Sequence, residues 1–285
     1  MIRLLAIDID GTLLDSRGQI PQAHRDAVVE AAGRGIDIAL ATGRSFHFSR
    51  PIADALSVPL TLIVNNGAVV KDRAGATEWR HLLSRDAAHA VLAGTRAYED
   101  SVAIVFDRPG ERQVMFERMD WTHPNRRGYY EKNKAFIAEA PAPLAEMLTE
   151  DPVQVMFNGH VEPMRALVAA LRALPIAGQF SVAVTEYAQR DFSLVDVNGA
   201  GCSKGSTLAR WAASRGWARD EVMAVGDNLN DVEMFEAAGT AIVMGNATDA
   251  VKQGRIVTGT NDEGGLADAI RRYALTRSAS PWTRR

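Results

Sequence analysis

Residues 4–14, LLAIDIDGTLL, decide the fold. The first four positions are all apolar, which is the pattern of a parallel strand that is buried on both faces of a sheet. Gly11 and Thr12 then give the signal of a turn. Because side chains alternate along a strand, Asp8 and Asp10 point in the same direction. The stretch therefore predicts a central strand that ends in two carboxylates.

Strand and helix signals alternate after this stretch. Residues 21–32 are amphipathic, begin with a proline in the first turn and end before two glycines, which predicts a helix. The same reasoning predicts strands at 36–41 and 60–64, with a helix at 46–56 between them. We therefore expect an α/β fold with a doubly wound, Rossmann-like parallel sheet.

The pattern changes to that of an α+β insert from about residue 79 to residue 186. We expect strands at 102–106, 113–117 and 153–157, helices around 86–98 and 163–174, and loops at 120–132 and 141–143. The α/β alternation resumes after residue 192, with helices at 205–214 and 231–238 and strands at 221–225 and 240–244.

These patterns divide the chain into two domains. Residues 1–80 and 190–285 are expected to form the α/β core, and residues 81–189 the inserted α+β domain. The last nine residues, 277–285, have no apolar period, so we expect them to be poorly ordered.

Composition excludes several classes of function. The 285 residues are 47% hydrophobic and carry a net charge of −3, with no basic stripe for nucleic acid. Cys202 is the single cysteine, so neither an intrachain disulfide nor a thiolate zinc site can form. No segment has about 18 uninterrupted apolar residues or the features of a signal peptide. We expect a cytoplasmic protein that does not bind membranes.

Two polar clusters accompany predicted strand or helix ends. Thr42, Gly43 and Arg44 follow the strand at 36–41 and offer a hydroxyl, backbone N–H groups and a guanidinium, which suit an oxyanion. A capping threonine beside a structural glycine would look the same. Lys204 opens a helix, where a cation opposes the helix dipole and needs an anion nearby. A solvated lysine is the alternative.

A third cluster follows the strand at 221–225. Asp227, Asn230 and Asp231 supply oxygen ligands that suit a hard cation such as Mg²⁺. An Asx-rich turn with a helix cap is the alternative. The six histidines are dispersed without the spacing of a zinc site, which disfavours a zinc hydrolase.

Taken in order, the Asp8–Asp10 pair and these three clusters resemble the four motifs of the haloacid dehalogenase superfamily of phosphatases. Those motifs are Asp8-x-Asp10-Gly-Thr, Thr42-Gly-Arg44, Lys204-Gly and Gly-Asp227-x-x-Asn230-Asp231. The position of the insert, just after residues 65–68 (Asn-Asn-Gly-Ala), looks like the Cof-type, C2B-capped branch, subfamily IIB. The likeness also covers residues 251–252 and 261–264, so it spans the core on both sides of the insert.

The resemblance implies a role for each matching residue. Asp8 looks like the nucleophile that forms an aspartyl-phosphate, and Asp10 like the general acid and base, with a pKa raised by neighbouring anionic groups. Mg²⁺ would be held by Asp8, the Asp10 carbonyl and Asp227, with Asp231 in or near its shell. The expected phosphate-binding residues are Thr42, Gly43, Lys204 and Asn230, and the residues with a possible substrate-binding or structural role are Arg44 and Asn66.

The implied activity is Mg²⁺-dependent hydrolysis of a small-molecule phosphate monoester, such as a sugar phosphate, with the insert acting as a specificity cap. A phosphomutase would share these residues and differ only in passing the phosphoryl group to a sugar instead of water. A non-catalytic phosphoester-binding protein is the alternative of another class. It predicts the loss of a catalytic acid, whereas Asp8 and Asp10 are both present.

Overall fold

The computed structural model describes residues 1–276, so the prediction for residues 277–285 lies outside the described part. The chain forms two compact units. The first contains Met1–Val64, Lys71–Ala76 and the chain from Lys204 onward, and the second contains Asn65–Val70 and Thr77–Ser203. Within the described residues, no helix combines the length and apolar character that a membrane span needs.

The regular elements of both units are numbered in chain order. The strands are β1 (Leu4–Ile7), β2 (Asp37–Ala41), β3 (Thr61–Val64), β4 (Val69–Asp72), β5 (Thr77–Arg80), β6 (Val102–Val105), β7 (Val114–Phe116), β8 (Ile137–Glu139), β9 (Gln154–Gly159), β10 (Phe180–Tyr187), β11 (Phe192–Gly199), β12 (Val222–Gly226), β13 (Thr240–Val243) and β14 (Ile256–Val257). The α-helices are α1 (Gln22–Gly33), α2 (Phe46–Leu56), α3 (Arg85–Gly94), α4 (Pro124–Asn133), α5 (Val161–Arg172), α6 (Lys204–Ser214), α7 (Val232–Ala237), α8 (Asp249–Lys252) and α9 (Gly265–Ala269).

A parallel sheet forms the centre of the first unit. Six of its strands lie in the order β14-β13-β12-β1-β2-β3, and each neighbouring pair among them is parallel. All four residues of β1 are fully buried, as the uninterrupted apolar run predicted. The predicted doubly wound α/β fold is thereby confirmed. Since β2 lies on one side of β1 and β12 on the other, the carboxyl end of β1 is the switch point where such sheets bind ligands.

The second unit has its own six-stranded sheet, in the order β10-β11-β9-β6-β7-β8. Its pairs are antiparallel except for β7 with β8. Buried side chains of α3 and α5 share an apolar core with this sheet, with Phe157 among its largest fully buried members. The predicted strands at 102–106, 113–117 and 153–157 correspond to β6, β7 and β9.

The predicted loop at 120–132 is wrong, because α4 occupies most of it. The helix has no continuous apolar face, so its sequence lacks the helical period. Two local features stabilise it instead. His123 accepts a hydrogen bond from the Asn125 N–H at the N-terminus of α4, and Arg126 buries its guanidinium in the unit. The long strands β10 and β11 were also missed.

The boundary of the second unit differs from the expected insert of 81–189. The α/β alternation was expected to resume after residue 192, but β11 pairs with β9 and β10 in the second sheet. After β11, the chain therefore returns to the first unit only at Lys204. The roles of the units as catalytic core and specificity cap stay predictions.

Candidate active site

A wide turn at the end of β1 positions the first pair of carboxylates. The Asp8 N–H donates to the Val225 carbonyl at 3.0 Å, so Asp8 continues the pairing of β1 with β12. The N–H of Leu13 then donates back to the Asp8 carbonyl at 3.2 Å, which closes a wide turn. Asp8 is buried, whereas the side chain of Asp10 is one-third exposed.

Gly11 is required inside this turn for two reasons. Its φ of +83° lies in the left-handed region that favours glycine. A Cβ atom at this position would also lie 2.3 Å from Oδ2 of Asp227. The glycine thus allows the backbone of the turn to approach the acidic residue that follows β12.

Lys204, the first residue of α6, is buried beside two of the acids. Its Nζ donates to Oδ1 of Asp8 at 2.6 Å and to Oδ1 of Asp231 at 2.7 Å, and the residue is only 1% exposed. Burial alone lowers the pKa of a lysine, but Asp231 and Asp8 together raise the pKa of Lys204 above its ordinary value. The alternative of a solvated lysine at the helix start is therefore wrong.

Asp231 is fully buried and uses both of its oxygens. Oδ1 accepts from Lys204, and Oδ2 accepts from the backbone N–H groups of Asp227 and Asn228 at 2.9 and 3.0 Å. A Cβ atom on Gly226 would lie 2.6 Å from this carboxylate, so a glycine is needed there too. Asp231 thereby joins α6 to the turn after β12.

The carboxylates of Asp8, Asp227 and Asp231 form a group that fits a metal ion. Each offers an oxygen, and these oxygens lie within 4.8 Å of one another. Burial, helped by nearby carboxylates, raises the pKa of Asp8 despite the contact with Lys204. Burial and the charges of Asp8 and Asp231 likewise raise the pKa of Asp227. Three acids facing one lysine leave an excess of negative charge, which a divalent cation on oxygen ligands would relieve.

Arg44 binds Asp10 through a two-point ion pair. Its Nε donates to Oδ2 of Asp10 at 2.7 Å, and its Nη2 donates to Oδ1 at 2.6 Å. The sequence predicted that the groups beside Asp10 would be anionic. Its hydrogen-bonded neighbour is instead a guanidinium, which fixes the direction of the carboxylate.

Thr42 lies at the carboxyl end of β2 and is 1% exposed. Its hydroxyl oxygen accepts from the Arg44 N–H at 3.2 Å in a local turn, whereas the N-cap residue of α2 is Ser45, so Thr42 does not cap the helix. This bond leaves the hydroxyl proton for donation to an anion. Gly43 connects the two residues, and Asn230 is half-buried in the turn after β12.

Asn66 belongs to the second unit. Its Nδ2 donates to Oδ2 of Asp196 at 2.8 Å, and both side chains are buried. Of the two roles predicted for Asn66, substrate binding or a structural role, this contact supports the structural one.

Sequence reasoning missed two residues that contact Asp227. The Thr12 hydroxyl donates to Oδ1 of Asp227 at 3.1 Å, and Nδ2 of Asn246 donates to Oδ2 at 3.2 Å. Asn246 follows β13, so its place just beyond the end of a parallel strand could have identified it. Thr12 lies inside the first motif. There a threonine that supports a metal ligand cannot be distinguished by sequence from one that only helps to form the turn.

Comparisons with known proteins agree with this geometry. A profile of the haloacid dehalogenase-like hydrolases matches residues 5–270. The chain is 29% identical over 275 residues to 5-amino-6-(5-phospho-D-ribitylamino)uracil phosphatase YcsE of Bacillus subtilis, covering 96% of each protein. It is 28% identical to pyridoxal phosphate phosphatase YbhA of Escherichia coli, covering 94% of this chain and 97% of that protein.

A solved structure extends the likeness to the fold. A phosphatase of the haloalkanoate enzyme superfamily from Bacteroides thetaiotaomicron superposes with a TM-score of 0.79 at 27% identity, over 97% of this chain and 96% of that one. The chain therefore belongs to the haloacid dehalogenase-like hydrolase family and is an enzyme of its phosphatase branch, as the four motifs predicted.

Proposed function

We propose that this protein hydrolyses phosphate monoesters of small metabolites through a phosphoryl group carried on Asp8. The observation that carries the proposal is the buried contact of Lys204 with Asp8 and Asp231. A structural ion pair needs one acid for one base, whereas here Asp227 adds a third carboxylate to the group. Such an excess of buried charge is costly unless the site has a cation and a substrate to bind.

In the proposed reaction, Asp8 attacks the phosphorus of the ester. The bond from phosphorus to the ester oxygen breaks, and a protonated Asp10, released from its ion pair with Arg44, gives that oxygen its proton. Asp10 then removes a proton from water, which attacks the phosphorus and releases phosphate from Asp8. Since Lys204 holds Oδ1 of Asp8, the orientation of this carboxylate is fixed before the substrate arrives.

Other side chains of the first unit would bind the phosphoryl oxygens. Lys204 supplies a positive charge, and Thr42 supplies a hydroxyl donor from a rigid strand end. The Gly43 N–H and the Asn230 amide are the further donors that we assign to this group. Arg44 acts on Asp10, which it holds by two hydrogen bonds, and we assign it a positioning role.

Mg²⁺ is the metal that we propose for the carboxylate group. Asp8, Asp227 and the Asp10 carbonyl would hold it, and it would supply positive charge for the transferring phosphoryl group. Asp231 has its oxygens bound to Lys204 and to two N–H groups, so we assign it the support of Lys204 and Asp227.

The proposed substrate is a small phosphate monoester such as a sugar phosphate or a similar metabolite. The names of YcsE and YbhA, both phosphatases of small phosphorylated molecules, support this class. We assign substrate selection to the second unit. The cytoplasmic location stays a prediction from the single cysteine.

The test is a screen of the purified protein against a panel of metabolite phosphates with Mg²⁺, in which released inorganic phosphate is measured. We expect turnover of several monoesters, which Asp8→Asn and EDTA both abolish. If phosphate appears only on a second sugar and never in solution, the protein is a phosphomutase. If wild type turns over nothing on the panel, the hydrolase proposal is wrong.

A further inference from the structure

Asn246 follows β13 and belongs to none of the motifs that carried the functional proposal. Because β13 pairs in parallel with β12, the residues beyond both strands lie at one edge of the sheet. The preceding Gly245 donates its N–H to the Gly259 carbonyl at 2.9 Å. A Cβ atom at Gly245 would lie 2.9 Å from the backbone of Gly259 and Thr260, so two backbone segments pack closely here. This packing fixes the position of Asn246.

The side-chain amide of Asn246 contacts two backbone groups and one side chain, from three segments of the chain. Its Nδ2 donates to the Gly11 carbonyl at 2.9 Å and to Oδ2 of Asp227 at 3.2 Å. Its Oδ1 accepts from the Asn261 N–H at 3.0 Å. These bonds fix the orientation of the amide, since a flip would place its oxygen against two acceptors and its NH₂ against a donor.

Asn261 extends the same network into the turn after β1. Its own Nδ2 donates to the Leu14 carbonyl at 2.8 Å, and the residue is buried. The turn that carries Asp8 and Asp10 is therefore tied at Gly11 to the segment after β13 and at Leu14 to the segment after β14.

Asp227 consequently has a neutral donor on each oxygen, the Thr12 hydroxyl on Oδ1 and the Asn246 amide on Oδ2. Neutral donors hold a carboxylate in one direction without cancelling its charge. A salt bridge would also hold it, but would compete with a cation for that charge. Outer partners of this kind typically change metal affinity by about 10- to 100-fold when they are removed.

We propose that Asn246 is a positioning residue that aims the Asp227 carboxylate at the divalent cation and fixes the Gly11 turn against it. The inference rests on the proposed function, in which Asp227 is a metal ligand. Loss of the amide leaves Oδ2 of Asp227 and the Gly11 carbonyl without this donor, so the carboxylate can turn away from Asp8.

The experiment compares Mg²⁺ binding to wild type and Asn246→Ala by titration calorimetry, without substrate. We expect the Kd for Mg²⁺ to rise about 10- to 100-fold in the variant. At saturating Mg²⁺ the KM for substrate should change little, because the residue contacts no group assigned to the phosphate. The melting temperature in EDTA is measured alongside, to record any loss of stability.

Asn133→Ala is the matched control. Asn133 also donates its side-chain amide to a backbone carbonyl, that of Tyr129 at 2.7 Å, but it lies in α4 of the second unit. We expect its Kd for Mg²⁺ to equal that of wild type. If Asn246→Ala does not fold, Asn246→Ser replaces it, because a serine is too short to bridge both acceptors.

Two outcomes separate this inference from the functional proposal. An Asn246 variant that melts lower in EDTA but binds Mg²⁺ as tightly as wild type shows a purely structural contact, and overturns the inference alone. Wild-type protein that binds no Mg²⁺ overturns the metal assignment itself, and the inference with it.

Discussion

Lys204 in the first unit and Arg126 in the second are both buried basic side chains, and their partners differ. Lys204 donates to two carboxylates, and Asp227 places a third acid in the same group. Arg126 in the second unit donates mainly to neutral oxygens, those of Asn158, Ser101 and the Asp120 carbonyl. The Asp120 carboxylate is the charged group near Arg126, at 3.4 Å from its Nη1.

The difference is the one we expect between a reactive site and a structural one. Neutral acceptors satisfy the donors of Arg126, so its surroundings are complete without a ligand. The group around Lys204 has more negative than positive charge, and burial raises the pKa of Asp8 and Asp227. A bound cation would relieve this charge.

Lys204→Met should produce the largest loss of activity in this comparison. Methionine keeps the length of the side chain but removes the charge that faces Asp8 and Asp231. We expect kcat to fall about 10²- to 10³-fold, which is the usual effect of removing one group that stabilises transition-state charge. Steady-state kinetics at saturating Mg²⁺ measures it, with circular dichroism to confirm folding. A folded variant with at least half of the wild-type kcat would contradict the assignment of Lys204 to the reaction.

Arg126→Met should instead lower the stability of the fold and leave metal binding unchanged. The substitution leaves the buried oxygens of Asn158 and Ser101 without their donor, so we expect about 3 kcal/mol of destabilisation. Urea denaturation measures the free energy of unfolding, and calorimetry measures the Kd for Mg²⁺. An unchanged stability together with weaker Mg²⁺ binding would reverse the roles given to the two buried cations.

A smaller effect, on the pH dependence of stability, is expected from His24, a histidine that burial keeps neutral. One ring nitrogen, Nδ1, lies 3.0 Å from the Leu13 carbonyl, and burial lowers the pKa of His24 below 6.5. Between the folded and unfolded pKa values, only the unfolded chain binds the proton, so stability falls as the pH drops below about 6.5.

His24→Asn tests this effect, because the Asn amide can donate to the Leu13 carbonyl but does not titrate. The free energy of unfolding is measured in urea at pH 5 and pH 7 for both proteins. We expect a smaller difference between the two pH values in the variant than in wild type. Equal differences would show that His24 does not titrate on unfolding.

The polar clusters of the first unit were predictable because a general rule of parallel sheets places them. Each parallel strand ends at the same edge of the sheet, so polar residues after β1, β2 and β12 meet there whatever the helices do. The pairing of Arg44 with Asp10 was not predictable, since it depends on the side-chain conformation of Arg44. Asn246 was missed because, although its place after a parallel strand is a signal, a single amide there lacks the spacing of a motif.

The second unit was harder to predict because its signals are not local. The helix α4 has no apolar stripe and is stabilised by the burial of Arg126. The strand β11 belongs to the second sheet through its pairing with β9 and β10, which sequence alone does not show. The expected boundary at residue 189 therefore came before this strand instead of after it.

Detection of a phosphoryl group on Asp8 would test the proposed nucleophile itself. The Asp10→Asn variant is mixed with nitrophenyl phosphate and Mg²⁺, quenched in acid within milliseconds and analysed by mass spectrometry. This leaving group does not need a proton, whereas the attacking water lacks its base, so the phosphoenzyme should accumulate. We predict an adduct of one phosphoryl group on the peptide that contains Asp8, and none in Asp8→Asn. An adduct on another residue, or turnover by Asp8→Asn at a tenth of the wild-type rate, would contradict the assignment of Asp8 as the nucleophile.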